Sequence, residues 1–147
     1  MLDQQTVPRG TAHPRLLFIY LLNATLVLCH EIDSAYWHEW QLFRLPGGPE
    51  GFVAMHLLVV LLILVGLVMV VNRTARSRLW SIAIGSAGTA GCAIHLAFLT
   101  HGNERFTTVF SIALIAAFGL SSATLTVIAL RTRPLAMEEK DSNRVFS

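Results

Sequence analysis

The chain has little of what a water-soluble protein of its length needs. Charged residues make up 14% of its 147 residues and hydrophobic residues 54%, whereas a typical soluble domain carries about 25% charged residues. A domain this small cannot bury so much apolar surface in one core. Two cysteines are too few for a disulfide-stabilised scaffold, and a net charge of +2 is too small for a nucleic-acid-binding surface. These shortages indicate an integral membrane protein that does not bind nucleic acid.

Four apolar runs are each long enough to cross a bilayer, which takes about 20 helical residues. They comprise residues 16–37, 52–71, 79–99 and 107–130. Because the segments between them are short, consecutive helices are expected to run antiparallel. The sequence therefore predicts an all-α, integral membrane four-helix bundle at residues 15–131, with polar tails at 1–14 and 132–147.

Basic residues are divided unequally between the two sides that this topology creates. The side with both tails and the middle loop carries nine, namely Arg9, Arg15, Arg73, Arg76, Arg78, Arg131, Arg133, Lys140 and Arg144. The other side, which we call the outer end, carries two, Arg44 and Arg105. Since basic loops stay in the cytoplasm, we expect both tails to be cytoplasmic. The chain contacts the lipid bilayer on this prediction. Whether it also binds a membrane protein partner or a second copy of itself stays an open question.

Ionisable side chains collect at the outer end of the predicted bundle. His30, His56 and His95 lie on three different spans, roughly 7–10 Å below the interface by helical rise. One face of the first span carries the polar residues Asn23, His30, Ser34 and Gln41. Lipid penalises such a stripe, so we expect it to face the interior of the bundle.

The third span has a face of small residues in line with its histidine. That face comprises Ser81, Gly85, Gly88, Gly91 and Cys92, together with His95. Small residues at this spacing either let helices approach closely or leave room for a ligand. The sequence leaves both interpretations open.

The histidines and carboxylates are typical of a metal site. Imidazole and carboxylate ligands suit zinc, iron or manganese, and the spacing of His30 and Asp33 puts both on one side of a helix. Similar inward pairs build carboxylate–histidine metal sites in other four-helix bundles. We therefore predict a divalent transition metal bound by His30, Asp33, His56 and His95. Three further residues of the outer end, expected to support the site from its periphery, are His38, His101 and Glu104.

Acid–base chemistry is a second expectation for the same region. Glu31 and Asp33, desolvated beside His30, are candidate catalytic groups acting on a lipid-soluble substrate. The sequence leaves two functions open. One is a small membrane oxidoreductase or hydrolase, and the other is a non-enzymatic accessory subunit whose polar interior fixes the packing of its helices or its contact with a partner. A haem held between two histidines, for electron transfer, is a further alternative, which the nearby carboxylates disfavour.

Residues 30–48, HEIDSAYWHEWQLFRLPGG, resemble the same stretch of small, uncharacterised four-span bacterial membrane proteins. The resemblance extends over residues 15–130. It implies the four-span fold and a bacterial inner-membrane setting, and it brings no activity and no catalytic residue. A His-x-x-Glu-Glu motif of other small membrane proteins is matched only in part, because Asp33 and Ser34 stand where that motif has two glutamates.

Overall fold

Helices form almost all of the chain that the computed structural model describes, which is residues 12–102 and 104–132. Their order is α1 (Ala12–Tyr36), α2 (Glu39–Leu42), α3 (Gly48–Val71), α4 (Ser77–Thr100) and α5 (Val109–Arg131). The four long helices are apolar enough to cross a membrane. The predicted fold class, an all-α integral membrane bundle of four antiparallel helices, is confirmed. The predicted polar tails fall almost entirely outside the described residues.

Each long helix packs mainly against two others, in the cyclic order α1, α3, α4 and α5, and α1 also touches α4 across the bundle. The closest packing is between α4 and α5, with α1 on the other side of α5, and α3 packs more loosely on α1 and α4. The apolar core lies chiefly between α1 and α5, where Tyr20 and Leu125 are fully buried. Most of the large side chains of α3, such as Leu57 and Leu61, are exposed. In a bilayer these side chains contact lipid.

Two glycines explain how closely α4 approaches α5. A Cβ atom added at Gly85 would lie 2.7 Å from the carbonyl oxygen of Ser122, and one added at Gly88 would lie 2.9 Å from the ring of Phe118. Small residues permit this kind of close packing between membrane helices. At these two positions, the small-residue face predicted from the sequence serves helix packing.

Two polar side chains of α1 form hydrogen bonds to other helices inside the bundle. The Asn23 amide donates hydrogen bonds to the hydroxyls of Ser121 and Ser122 on α5, at 3.0 and 2.7 Å. The Tyr20 hydroxyl donates to the carbonyl oxygen of Ile63 on α3, at 2.9 Å. Asn23, His30 and Ser34 are all buried, which confirms that the polar stripe of the first span faces inward. Gln41, the fourth member of that stripe, is exposed because α1 ends at Tyr36.

Candidate functional site

A cavity of about 270 Å³ lies between α1, α3 and α4. It reaches the end of the bundle formed by residues 30–52 and 95–111, which we call the histidine end. Five ionisable side chains contribute to its wall: His30, Glu31, Glu39, His56 and His95. Aliphatic and aromatic side chains and two glycines of α4 complete the lining. The cavity is therefore polar at one end and apolar along the rest of its length.

His30 and His95 meet directly across the bundle. Their Nε2 atoms lie 3.0 Å apart, with the ring planes at 89° to each other. Both side chains are almost completely buried, at 3% and 5% exposure. His30 also stacks on Phe118 of α5, with ring centroids 5.2 Å apart. Packing therefore fixes both rings with two nitrogen atoms converging on one point.

Glu39 joins this pair from the short helix α2. The chain leaves α1 through His38, whose φ of 53° lies in the left-handed region, and this turn directs α2 back over the bundle. One carboxylate oxygen of Glu39 lies 3.5 Å from Nε2 of His95. Burial is the main cause that raises the pKa of the Glu39 carboxyl above its ordinary value. The charge of Glu31 also raises this pKa, while the neighbouring Ser34 hydroxyl lowers it without reversing the shift. Sequence reasoning missed Glu39 as a site residue.

Glu31 and His56 form a second pair on the cavity wall. Nε2 of His56 contacts the Glu31 carboxylate, while Nδ1 lies 2.7 Å from the carbonyl oxygen of Phe52. A carbonyl oxygen only accepts, so Nδ1 carries a proton. This pair also ties α3 to α1 at the histidine end.

Asp33 lies apart from the residues that it was predicted to join. Its carboxylate accepts a hydrogen bond from the Ser111 hydroxyl at 3.0 Å, and Ser111 accepts one from the indole nitrogen of Trp37, also at 3.0 Å. Asp33 does not line the cavity. Its carboxylate connects α1 to the start of α5.

The three residues predicted at the periphery are exposed and do not line the cavity: His38, His101 and Glu104. Nδ1 of His101 lies 2.7 Å from the carbonyl oxygen of Ala97 in its own helix. The carbonyl oxygen of His38 accepts a hydrogen bond from Arg105 at 2.8 Å. In this arrangement none of the three touches the ionisable groups of the cavity wall through a hydrogen bond or an ion pair.

The predicted four-ligand set is not assembled as a metal site. Within residues 12–102 and 104–132, no group of three or more His, Cys, Asp or Glu side chains is placed so that it could hold a metal ion. Three of the four predicted ligands, His30, His56 and His95, do line one cavity. They are divided between a His30–His95 pair and a Glu31–His56 pair.

Comparison with known proteins identifies a family. The model of a protein family described as "Family of unknown function (DUF6713)" matches residues 16–132. No curated protein and no solved structure matches the chain. The matched range contains every residue that lines the cavity, and it agrees with the resemblance to uncharacterised proteins. The chain belongs to DUF6713, a family of unknown function.

Proposed function

We propose that this chain binds a divalent transition metal at the histidine end, with Nε2 of His30 and Nε2 of His95 as its first two ligands. The observation that supports this most is the 3.0 Å separation of these two atoms. Two imidazole nitrogens that bind one tetrahedral zinc at 2.0–2.1 Å lie about 3.3 Å from each other. The two rings thus need to separate by only a few tenths of an ångström. Zinc, iron and manganese all suit such ligands.

Glu39 is the proposed third ligand. Its carboxylate oxygen is 3.5 Å from Nε2 of His95, close to the distance expected between two ligands of one metal. Glu39 stands on a four-residue helix between two turns, and the proposal requires α2 to shift so that its carboxylate completes the set with the two histidines. Asp33 has no part in this set, because its carboxylate is held by Ser111.

The arrangement also suits a reaction on a lipophilic substrate, by a small membrane hydrolase or oxidoreductase. Glu31 lines the cavity, and its carboxylate contacts Nε2 of His56. It is therefore the carboxyl group placed to accept or return a proton. Asp33, the other carboxylate predicted to be catalytic, is turned toward α5 and does not serve this role.

The test is the metal content of protein purified in detergent without chelators and then supplied with zinc, iron(II) or manganese. We expect a stoichiometric metal in the wild type, which is lost in His30→Ala and in His95→Ala. His101→Ala is the matched control, because His101 is an exposed histidine of the same end whose Nδ1 lies beside a carbonyl oxygen of its own helix. Absence of metal from the wild type under all three conditions contradicts the proposal. So does equal retention in the four proteins.

The main alternative is a non-enzymatic accessory subunit. It is favoured by the same His30–His95 contact, because two neutral imidazoles also form a hydrogen bond without any metal. Under this alternative, His30→Ala lowers the stability of the bundle. Its metal content then equals that of the His101→Ala control. A haem fits less well, because a flat macrocycle must lie between two axial histidines, and these two are in direct contact.

We further propose that the chain resides in a bacterial inner membrane with both tails in the cytoplasm. The support is the distribution of basic residues, with nine on the side of the tails and two at the histidine end. Labelling of single cysteines introduced near Arg44 and near Arg76 with a membrane-impermeant maleimide tests it. Labelling in intact cells is expected near Arg44 alone, and the reverse result would invert the topology.

A further inference from the structure

We infer that the cavity binds a neutral, lipid-soluble molecule with one apolar chain and an oxygen-bearing head group, which enters from the bilayer between α3 and α4. This deepens the proposed function and rests on it for the chemistry at the polar end. The binding of the apolar chain depends only on the cavity itself. Three features of the structure support the inference: the position of the opening, the role of Gly91 and the character of the lining.

The cavity opens toward lipid. Met55 of α3 and Ile94 of α4 line it and are nevertheless 42% and 46% exposed. Ala87, about two helical turns before Ile94 on α4, also lines the cavity and is exposed. All three residues lie within the membrane-spanning helices. Their exposed surface, which borders the opening of the cavity, therefore faces the bilayer. Because α3 packs only loosely on α4, a molecule dissolved in the bilayer can reach the cavity sideways.

Gly91 differs from the glycines that pack α4 against α5. A Cβ atom added at Gly91 would meet only the Phe118 ring, at an ordinary contact distance of 3.9 Å. Close helix packing therefore does not require a glycine at this position. Gly91 lines the cavity one turn before His95, and its missing side chain enlarges the space that leads to the histidine. This fits the second interpretation of the small-residue face, which is room for a ligand.

The size and lining of the cavity determine the class of occupant. A volume of about 270 Å³ is just below the range of about 300–1,000 Å³ typical of small-molecule sites. It holds a head group and the first part of one chain, while the remainder of that chain stays in the bilayer. A second acyl chain has no room.

The polar end selects for a head group without charge. Glu31 is paired with His56, and Glu39 lies beside His95. The divalent metal proposed beside these two carboxyl groups offsets their charge, so this end attracts neither an anionic nor a cationic head group strongly. Imidazole and carboxyl groups do form hydrogen bonds with a carbonyl or hydroxyl oxygen.

The experiment uses a decyl-substituted benzoquinone as the probe and the full-length protein in lipid nanodiscs. Trp40 packs against Phe52 at the histidine end, with ring centroids 5.5 Å apart, so we expect saturable quenching of tryptophan fluorescence when the probe binds. Gly91→Leu and Ala87→Leu place a larger side chain in the cavity. Each should weaken binding by about tenfold or more, as expected when about two methylene groups lose their burial. Ala93→Leu, at an exposed position of α4 that does not line the cavity, is the matched control with unchanged binding.

Two comparisons decide the outcome. Non-saturable quenching, or equal affinities of the probe for the wild type and both cavity variants, overturns the inference. Decanol should displace the probe and decanoate should not, and equal displacement by decanoate refutes the neutral head group. The cavity variants keep His30, His95 and Glu39, so their metal content should equal that of the wild type. Saturable binding in a protein that holds no metal would therefore refute the proposed function alone, and metal without probe binding would refute this inference alone.

Discussion

The contrast between two glycines of α4 gives the most direct test of the packing argument. Gly85→Ala puts a methyl group 2.7 Å from a backbone carbonyl oxygen of α5, which cannot move without shifting the helix. Overpacking of this kind costs about 1–3 kcal/mol. Gly91→Ala meets only an ordinary contact with Phe118. Both changes gain the same helix propensity, about 1 kcal/mol for alanine over glycine.

The shared propensity gain cancels when the two variants are compared. Gly85→Ala is therefore expected to be less stable than Gly91→Ala by about 1–3 kcal/mol, which is the packing cost alone. Gly91→Ala should be as stable as the wild type or more stable by up to about 1 kcal/mol. The assay is reversible unfolding in mixed micelles with increasing dodecyl sulfate, followed by far-ultraviolet circular dichroism. Equal stability of the two variants, or a more stable Gly85→Ala, would refute the packing of α4 on α5 described above.

Three further predictions concern single polar groups. Tyr20→Phe removes the hydrogen bond to Ile63 and should lower the free energy of unfolding by about 0.5–1.5 kcal/mol. Relative to the wild type, amide exchange measured by mass spectrometry should become faster in α3 more than in α5. Ser111→Ala leaves the Asp33 carboxylate without its hydroxyl partner and should cost about 1–3 kcal/mol; a lower metal content in this variant would place Asp33 in the site after all. Because burial raises the pKa of Glu39, the stability of metal-free protein should fall as the pH rises through that raised pKa. Glu39→Gln should flatten this part of the plot of stability against pH. An unchanged plot in this variant would contradict the shift.

The fold could be predicted from the sequence because each span carries its own signal. Apolar length fixes the number of helices, short loops fix their antiparallel order, and the polar stripe on the first span indicates which face is buried. That stripe correctly placed Asn23, His30 and Ser34 in the interior. These inferences need only the period of a single helix and the cost of exposing polar groups to lipid.

The site could be predicted only in part because it depends on how helices are joined and rotated. The left-handed turn at His38 directs Glu39 into the bundle, and the sequence offers no glycine there, the residue that most often indicates such a turn. The spacing of His30 and Asp33 leaves about 60° between them, which is enough to turn one toward α4 and the other toward α5. A pairing between Asp33 and Ser111, 78 positions apart, has no local signal at all.

The loose attachment of α3 also has a mechanical consequence in a bilayer. This helix has 24 residues and is about 36 Å long, whereas the hydrocarbon core of a typical bilayer is about 30 Å thick. Helices that are too long for the bilayer tilt. The closely packed α1, α4 and α5 are expected to tilt together. The two side-chain ties of α3, at His56 and Ile63, lie in the middle of that helix, so α3 can change its angle separately. Membrane thickness should therefore act on the width of the gap between α3 and α4, so that thinner membranes open the sideways path and thicker ones close it.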